Sequence, residues 1–390
     1  DGGDNIINGT SDWAYEEEFH FRDGFRWSED GRYIAYWQFD TDGIEPFYII
    51  NNTDSLYPKL IPIPYPKVGT VNSACRIGVI SALGGQPTWF DLPGDSRQHY
   101  IPKMEWAANG NQVVIQQLNR LQNKNMVWLG DVADGTVTAV HTETDDAWID
   151  VHTDDLYWLD GGQAFTWVSD RHDWRQLVRI SRDGKQVVPL TAAEFDVVSV
   201  AKVDEKNGRL YFIASPDNAT QRYLYSTDLT GDNLVQRLTP TDMPGWHSYD
   251  ISPTGEYAFQ TYSTFNKPPV TSLISLPDHK LVRVLEGNEA LVETVTAVQQ
   301  PAHEFFQVAL DDGALLDGWC LKPPDFDPAQ KYPLLFYVYG EPAGQTVIDR
   351  WGDKRLLWHM MLAQQGIIVM SVDNRGTPAP RGRSWRKSVY

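Results

Sequence analysis

Cysteine is almost missing from this sequence: Cys75 and Cys320 are its two cysteines in 390 residues. They stand 245 positions apart, which excludes a disulfide framework and suits two buried bystanders, so compartment cannot be read from them. Long apolar runs are missing too. The longest, such as residues 366–372, are strand-sized and far below the about 18–20 residues of a membrane-spanning helix. Basic charge is scarce, with 33 Lys and Arg against 52 Asp and Glu and a formal net charge of −19; such a surface repels phosphate backbones and excludes nucleic acid as a partner. No glycine-rich phosphate loop precedes a helix, so no nucleotide or other cofactor is expected. The nine histidines fall in no His-Glu-x-x-His frame, and no Cys-x-x-Cys occurs, so no metal site is expected. A Gly-x-Ser-x-Gly elbow is also absent. The nearest stretch, Gly245-Trp246-His247-Ser248-Tyr249, lacks the last glycine, so no catalytic Ser, Asp and His can be assigned.

What is present is apolar and aromatic: 42% hydrophobic and 12% aromatic residues, enough for one large core or two ordinary ones. A phrase recurs five times, an aromatic or apolar residue, then Ser or Asp, a turn ending in Gly, then an apolar strand. One copy is Trp27-Ser28-Glu29-Asp30-Gly31 before Tyr33-Ile34-Ala35-Tyr36. The turn glycines 31, 110, 162, 208 and 255 are separated by 79, 52, 46 and 47 residues. All but the first gap fall near the ~40–50-residue period of propeller blades. Within a repeat a second hairpin follows, as at Arg182-Asp183-Gly184, where Asp-Gly between apolar runs marks a tight turn. A β-sandwich would not repeat one turn phrase at this longer period, so a mainly β fold of four-stranded antiparallel propeller blades is expected. The long first gap holds an insertion at residues 56–72, too rich in proline for a central strand.

Past Gln300 the phrase stops. A hairpin is expected around Asp311-Asp312-Gly313, and residues 334–339 form a nearly continuous apolar run, expected to be a strand buried on both faces. Leu356, Leu357, His359, Met360, Met361 and Ala363 fit a helix stopped by Gly366, and residues 367–372 make a second buried strand. Strand, helix, strand implies the start of a doubly wound α/β sheet. The expected division is therefore a propeller over 1–298 and the beginning of an α/β domain over 299–390. A finished sheet of ~8 strands needs well over ~100 further residues, so the sequence is expected to be a fragment.

Specific words narrow the class. Trp13-Ala14-Tyr15-Glu16-Glu17-Glu18-Phe19, Leu56-Tyr57-Pro58-Lys59, Leu118-Asn119-Arg120-Leu121-Gln122-Asn123 and Lys331-Tyr332-Pro333-Leu334-Leu335 up to Tyr339-Gly340 are similar, in order and rough spacing, to the dipeptidyl peptidase IV family of prolyl oligopeptidase-type serine peptidases. The resemblance covers nearly the whole chain and implies that the second part begins an α/β-hydrolase domain. It also implies that Glu17 and Glu18 hold the free amino group of a peptide substrate, and that Tyr339 donates to the oxyanion of the tetrahedral intermediate. On their own, three adjacent acids read as a solvated helix face, and Tyr339 as an aromatic strand end packing on the sheet.

The resemblance also implies an upstream arginine for the substrate carbonyl, whose motif is expected to precede residue 1. Glu341 stands where many relatives have a small residue, which puts the shape around Tyr339 in question. Asp373-Asn374-Arg375-Gly376 reads as a structural loop. Trp148-Ile149-Asp150-Val151-His152 and Arg171-His172-Asp173-Trp174-Arg175 sit on propeller loops and are read first as packing and ion-pair residues.

By resemblance the parent releases Xaa-Pro or Xaa-Ala dipeptides from peptides with a free N-terminus, and this chain alone is expected to be inactive. A homodimer using an arm of the propeller, and a periplasmic or secreted location, are implied by resemblance alone. Two other readings stay open: a propeller that is a non-catalytic interaction scaffold, and an acylaminoacyl or prolyl endopeptidase of the same superfamily.

Overall fold

The computed structural model describes residues 2–3, 5–108, 110–151, 156–232, 234–298 and 301–390. The chain divides into two compact units: residues 1–166 with 180–187, and residues 167–179 with 188–390.

Each recurring phrase becomes the turn between the first two strands of a blade. The five glycines Gly31, Gly110, Gly162, Gly208 and Gly255 all adopt the left-handed region, with φ from 62° to 89°. A side chain there is strained, which is why the turn repeats this residue type. Blade 1 joins Phe25–Trp27, Tyr33–Asp40, Ala74–Ser81 and Thr88–Trp89, with Ile6–Asn8 completing one flank. Blade 2 runs His99–Trp106, Gln112–Asn119, Lys124–Asp131, Val137–Thr144 in meander order. Blade 3, whose residues fall in both units, runs Trp158–Leu159, Ala164–Ser169, Gln176–Ser181, Val187–Pro189. Blades 4 and 5 repeat the pattern over Val197–Asp204 to Gln236–Arg237 and over Trp246–Ile251 to Lys280–Glu286.

The second strand of a blade is apolar on both sides because other layers cover both its faces. Val113, Val114 and Ile115 are all buried, whereas the outer strand Lys280–Glu286 is exposed throughout. The first unit's core centres on Tyr15, Trp37, Phe39, Ile77, Ile101, Met104 and Ile115. In the second unit Leu177, Leu190, Phe195, Leu210, Phe212 and Tyr225 form a core. Each large side chain buried in this way contributes ~1.5–3 kcal/mol.

The insertion in blade 1 is a two-stranded ribbon, Pro46–Asn51 against Lys59–Pro64. Among the described residues its strands pair only with each other, and a ribbon with two open edges tolerates the prolines a central strand would reject.

In the second unit a sixth sheet follows, in the order Ala302–Ala309, Leu315–Lys322, Ile368–Val372, Leu334–Phe336. Leu334–Phe336 and Ile368–Val372 are parallel and are linked by a helix, Asp353–Gln364. That helix ends as expected: the Gly366 amide donates to Ala363 (3.0 Å) and the Ile367 amide to Leu362 (3.2 Å), the paired bonds of a Schellman stop.

One expectation needs correction. Residues 334–339 are not a strand buried on both faces: the strand spans three residues, and Leu334, Phe336, Val338 and Tyr339 are exposed. It is the edge of its sheet and pairs on one side only; Leu335 and Tyr337 pack on the core beneath it, so among the described residues its flank and the face of Leu334 and Phe336 lack cover.

Candidate functional site

The first unit carries the glutamates on a short helix, α1, Trp13–Phe19. Asp12 caps it by accepting the Tyr15 amide at 3.0 Å, and Ser73 Oγ donates to the other carboxylate oxygen at 2.6 Å. Burial raises the Asp12 pKa, with these donors opposing the shift. The Tyr15 side chain is fully buried among Phe19, Phe21 and Phe39, and its hydroxyl accepts the Ile101 amide at 2.9 Å. At ~100° per residue, fixing Tyr15 inward turns Glu16 and Glu17 away from the core, while Glu18 lies about 60° from Tyr15 at the rim of that face; all three are exposed. Glu16 pairs with Arg22 at 3.0 Å. Among the described residues Glu17 and Glu18 have no ion-pair or hydrogen-bond partner.

Their placement is electrostatically uphill. Both lie in the last turn of α1, where free carbonyls carry partial negative charge and a cation is preferred; an acid there costs about 0.3–1 kcal/mol. Two unpaired carboxylates at the negative end of a helix make a strong attractor for an ammonium group.

Glu18 also lines a cavity of about 480 Å³ together with His20, Asp23, Arg26, Gln122, Trp148 and Asp150. Its cations are already engaged: Arg26 and Lys103 both pair with Glu105, at 2.7 and 3.4 Å. Trp148 donates its indole N–H to Asp150 at 2.9 Å. Trp148, Ile149, Asp150 and Val151, read from the sequence as packing and ion-pair residues, line this cavity, while His152 lies outside the described residues.

In the second unit Tyr339 follows the edge strand and is half exposed. Gly344 lies against its ring: a Cβ at 344 would stand 2.5 Å from Cδ1, so the close approach requires glycine. The Glu341 side chain hydrogen-bonds the hydroxyl and raises its pKa. The segment's far end is clamped by Asp373, which is buried and accepts from Thr346 N (2.9 Å), Thr346 Oγ1 (2.7 Å) and Val347 N (2.9 Å).

Other sequence candidates are structural. Asp173 accepts from the Ser384 amide (2.8 Å) and hydroxyl (2.5 Å). Next to it, buried Arg386 bridges Asp196 (2.5 Å) and Asp170 (3.0 Å). This cluster joins residues about 200 positions apart and carries no sequence signal that pairing rules could find. The Gly245–Tyr249 stretch is no elbow. Ser248 lies within the strand Trp246–Ile251, and buried His247 is engaged by Gln260 (2.8 Å) and Met243 O (2.9 Å). Among the described residues no cluster of three His, Cys, Asp or Glu could hold a metal ion, and no helix is long and apolar enough to cross a membrane.

The successive four-stranded antiparallel sheets are the blades of a β-propeller. The family model of the dipeptidyl peptidase IV N-terminal region matches residues 1–269, and the chain belongs to that family. It is 29% identical over 403 residues to dipeptidyl peptidase 4 of Trichophyton equinum, covering all of this chain and 51% of that protein. Probable dipeptidyl peptidase 4 of Emericella nidulans is 27% identical over 410 residues, with 100% and 52% covered. The crystal structure of Porphyromonas gingivalis dipeptidyl peptidase 4 superposes with a TM-score of 0.90 at 28% identity, over 99% of this chain and 54% of that one. A putative dipeptidyl aminopeptidase IV from Bacteroides ovatus shares the fold, with a TM-score of 0.87 at 21% identity over 100% and 57% of the two chains. The chain spans about half the length of the relatives it matches.

Proposed function

We propose that this chain is the recognition part of a serine exopeptidase that releases Xaa-Pro and Xaa-Ala dipeptides from peptide N-termini. Glu17 and Glu18 bind the substrate ammonium through charge-assisted hydrogen bonds, which places the scissile bond two residues in and rejects blocked chains. Tyr339 donates to the oxyanion that forms when a serine attacks the scissile carbonyl. That serine and its His and Asp partners are not assigned to residues of this chain, so the purified chain should not turn over a dipeptidyl-proline chromogenic substrate; turnover would refute this point. Residues 1–298 are the propeller, and 299–390 begin the α/β-hydrolase domain, a reading supported by the parallel strand, helix, strand unit. The boundary residues Gln299 and Gln300 lie outside the described residues.

The observation that carries the proposal is the pair of unpaired carboxylates at the C-terminal end of a helix locked by Tyr15. Replacing both by Gln in the parent enzyme tests it. The dipeptidyl peptidase reading expects kcat/KM on a dipeptidyl-proline substrate to collapse. An endopeptidase would lose almost nothing, and a scaffold would show no activity to lose.

The blade 1 ribbon is the proposed homodimer arm. Ile50, Leu56, Tyr57 and Leu60 are 61%, 91%, 78% and 63% exposed, an apolar display that a monomer rarely maintains. Leu56→Asp with Tyr57→Asp should lower the sedimentation coefficient of the parent from dimer to monomer; an unchanged value would remove the arm from the interface.

A further inference from the structure

Within the second unit lies a cavity of about 470 Å³ that the proposed peptidase function does not use. Gly352, Arg355, Leu356 and His359 line it, and at spacings of 3, 4 and 7 residues they occupy one face of the helix Asp353–Gln364. Trp319, Tyr337 and Trp351 also line it.

Four observations point to a ligand with an anionic head and an aromatic body. First, Arg350, Lys354 and Arg355 line the cavity against one acid, Asp353, and among the described residues none of the three cations is paired with a carboxylate. Arg355 donates to the Tyr337 hydroxyl, and Arg350 stacks over Trp246 at 5.0 Å. Second, the positive field is reinforced from behind. Buried Arg222 stacks on the same Trp246 ring at 4.5 Å, and burial together with Arg350 brings its pKa down to about 10. Third, the helix starts at the cavity, and Gly352 supplies no capping side chain; the first-turn amides are left for an outside acceptor. Fourth, His359 is 2% exposed, and its Nε2 has no hydrogen-bond partner. A buried imidazole nitrogen without a partner is costly unless something meets it. Burial and Arg355 hold the His359 pKa to about 4, so this nitrogen belongs to a neutral ring able to donate or accept.

We propose that this cavity binds an amphipathic carboxylate, with its aromatic body among Trp319, Tyr337 and Trp351, its head group on Arg350, Lys354 and the helix N-terminus, and a polar atom on His359. The volume falls within the ~300–1,000 Å³ of small-molecule sites. The same chemistry is offered by a free aryl carboxylate and by the C-terminus of a peptide ending in an aromatic residue.

Calorimetric titration with indole-3-acetate, indole-3-acetamide, and one short peptide ending in Trp, as the acid and as the amide, tests the proposal. A carboxylate probe should bind saturably, and its amide about tenfold more weakly or worse, the loss of one charge-assisted contact. Binding of indole-3-acetate alone assigns a free small molecule, and binding of the peptide acid alone assigns a chain terminus; either supports the site. Lys354→Gln and Arg350→Gln, both at exposed positions and checked for unchanged circular dichroism, should each weaken binding by about tenfold, and the His359 ring resonance should move on saturation. Equal affinity for acid and amide, no binding of any probe, indifference to both substitutions, or a His359 resonance that stays in place would overturn the proposal.

Discussion

Two carboxylate sites in this molecule are built in opposite ways. Asp373 is buried and has its acceptor capacity filled by two amides and a hydroxyl. Glu17 and Glu18 are exposed, adjacent, unpaired and set at the unfavourable end of a helix. A filled carboxylate holds a chain in place. An empty one, supported by a helix whose Asp12 cap and buried Tyr15 fix its orientation, is available to a ligand, and its electrostatic cost is repaid only when that ligand arrives.

Substitutions at the two sites should separate along these lines. The largest effect is expected at the empty pair: Glu17→Gln with Glu18→Gln in the parent enzyme should lower kcat/KM for a dipeptidyl-proline substrate by on the order of 10³-fold, the sum of two charge-assisted contacts. Denaturant melting of the same variant should show stability unchanged or slightly raised. A large loss of stability would mean that these carboxylates hold the fold as Asp373 does, and the contrast would fail. Asp373→Ala should do the reverse, stranding the Thr346 and Val347 amides at a cost of about 3 kcal/mol in urea unfolding.

Acid should expose a third kind of buried group. Burial holds the His247 pKa at about 4 against 6.5. The unfolded chain therefore binds the proton first, and stability should fall as pH drops from about 6.5 through 4, by on the order of 3 kcal/mol for this group. Equilibrium unfolding across that window measures the slope, and a flat profile would show that His247 is not held neutral. The smallest effect is local: Glu341→Gln should lower the Tyr339 pKa toward its ordinary value of 10.0, read as a phenolate absorbance difference against a Tyr339→Phe background. No change would detach the two side chains.

How much of this was legible in the sequence depends on range. The blade turns were readable because a left-handed turn demands glycine locally, and all five glycines occupy that conformation. Gly366 marked its helix stop for the same reason. Apolar content at residues 334–339 suggested a buried strand, but burial depends on what covers a strand, and composition does not report that an edge is open. Arg386 meets Asp170 and Asp196 across about 200 residues, beyond any local rule. The glutamates could be picked out only through family resemblance. Their exposure matches the bland reading of a solvated face equally well, and what separates the readings is the missing partners and the position against the helix dipole.

The central claim is that Glu17 and Glu18 recognise a charged amino terminus. Calorimetry of this chain with Ala-Pro amide and with its N-acetylated form tests it most directly. The free amine should bind, and the acetylated form should not, with the difference abolished in the double Gln variant. Equal binding of the two peptides, or discrimination that survives the substitutions, would contradict the account.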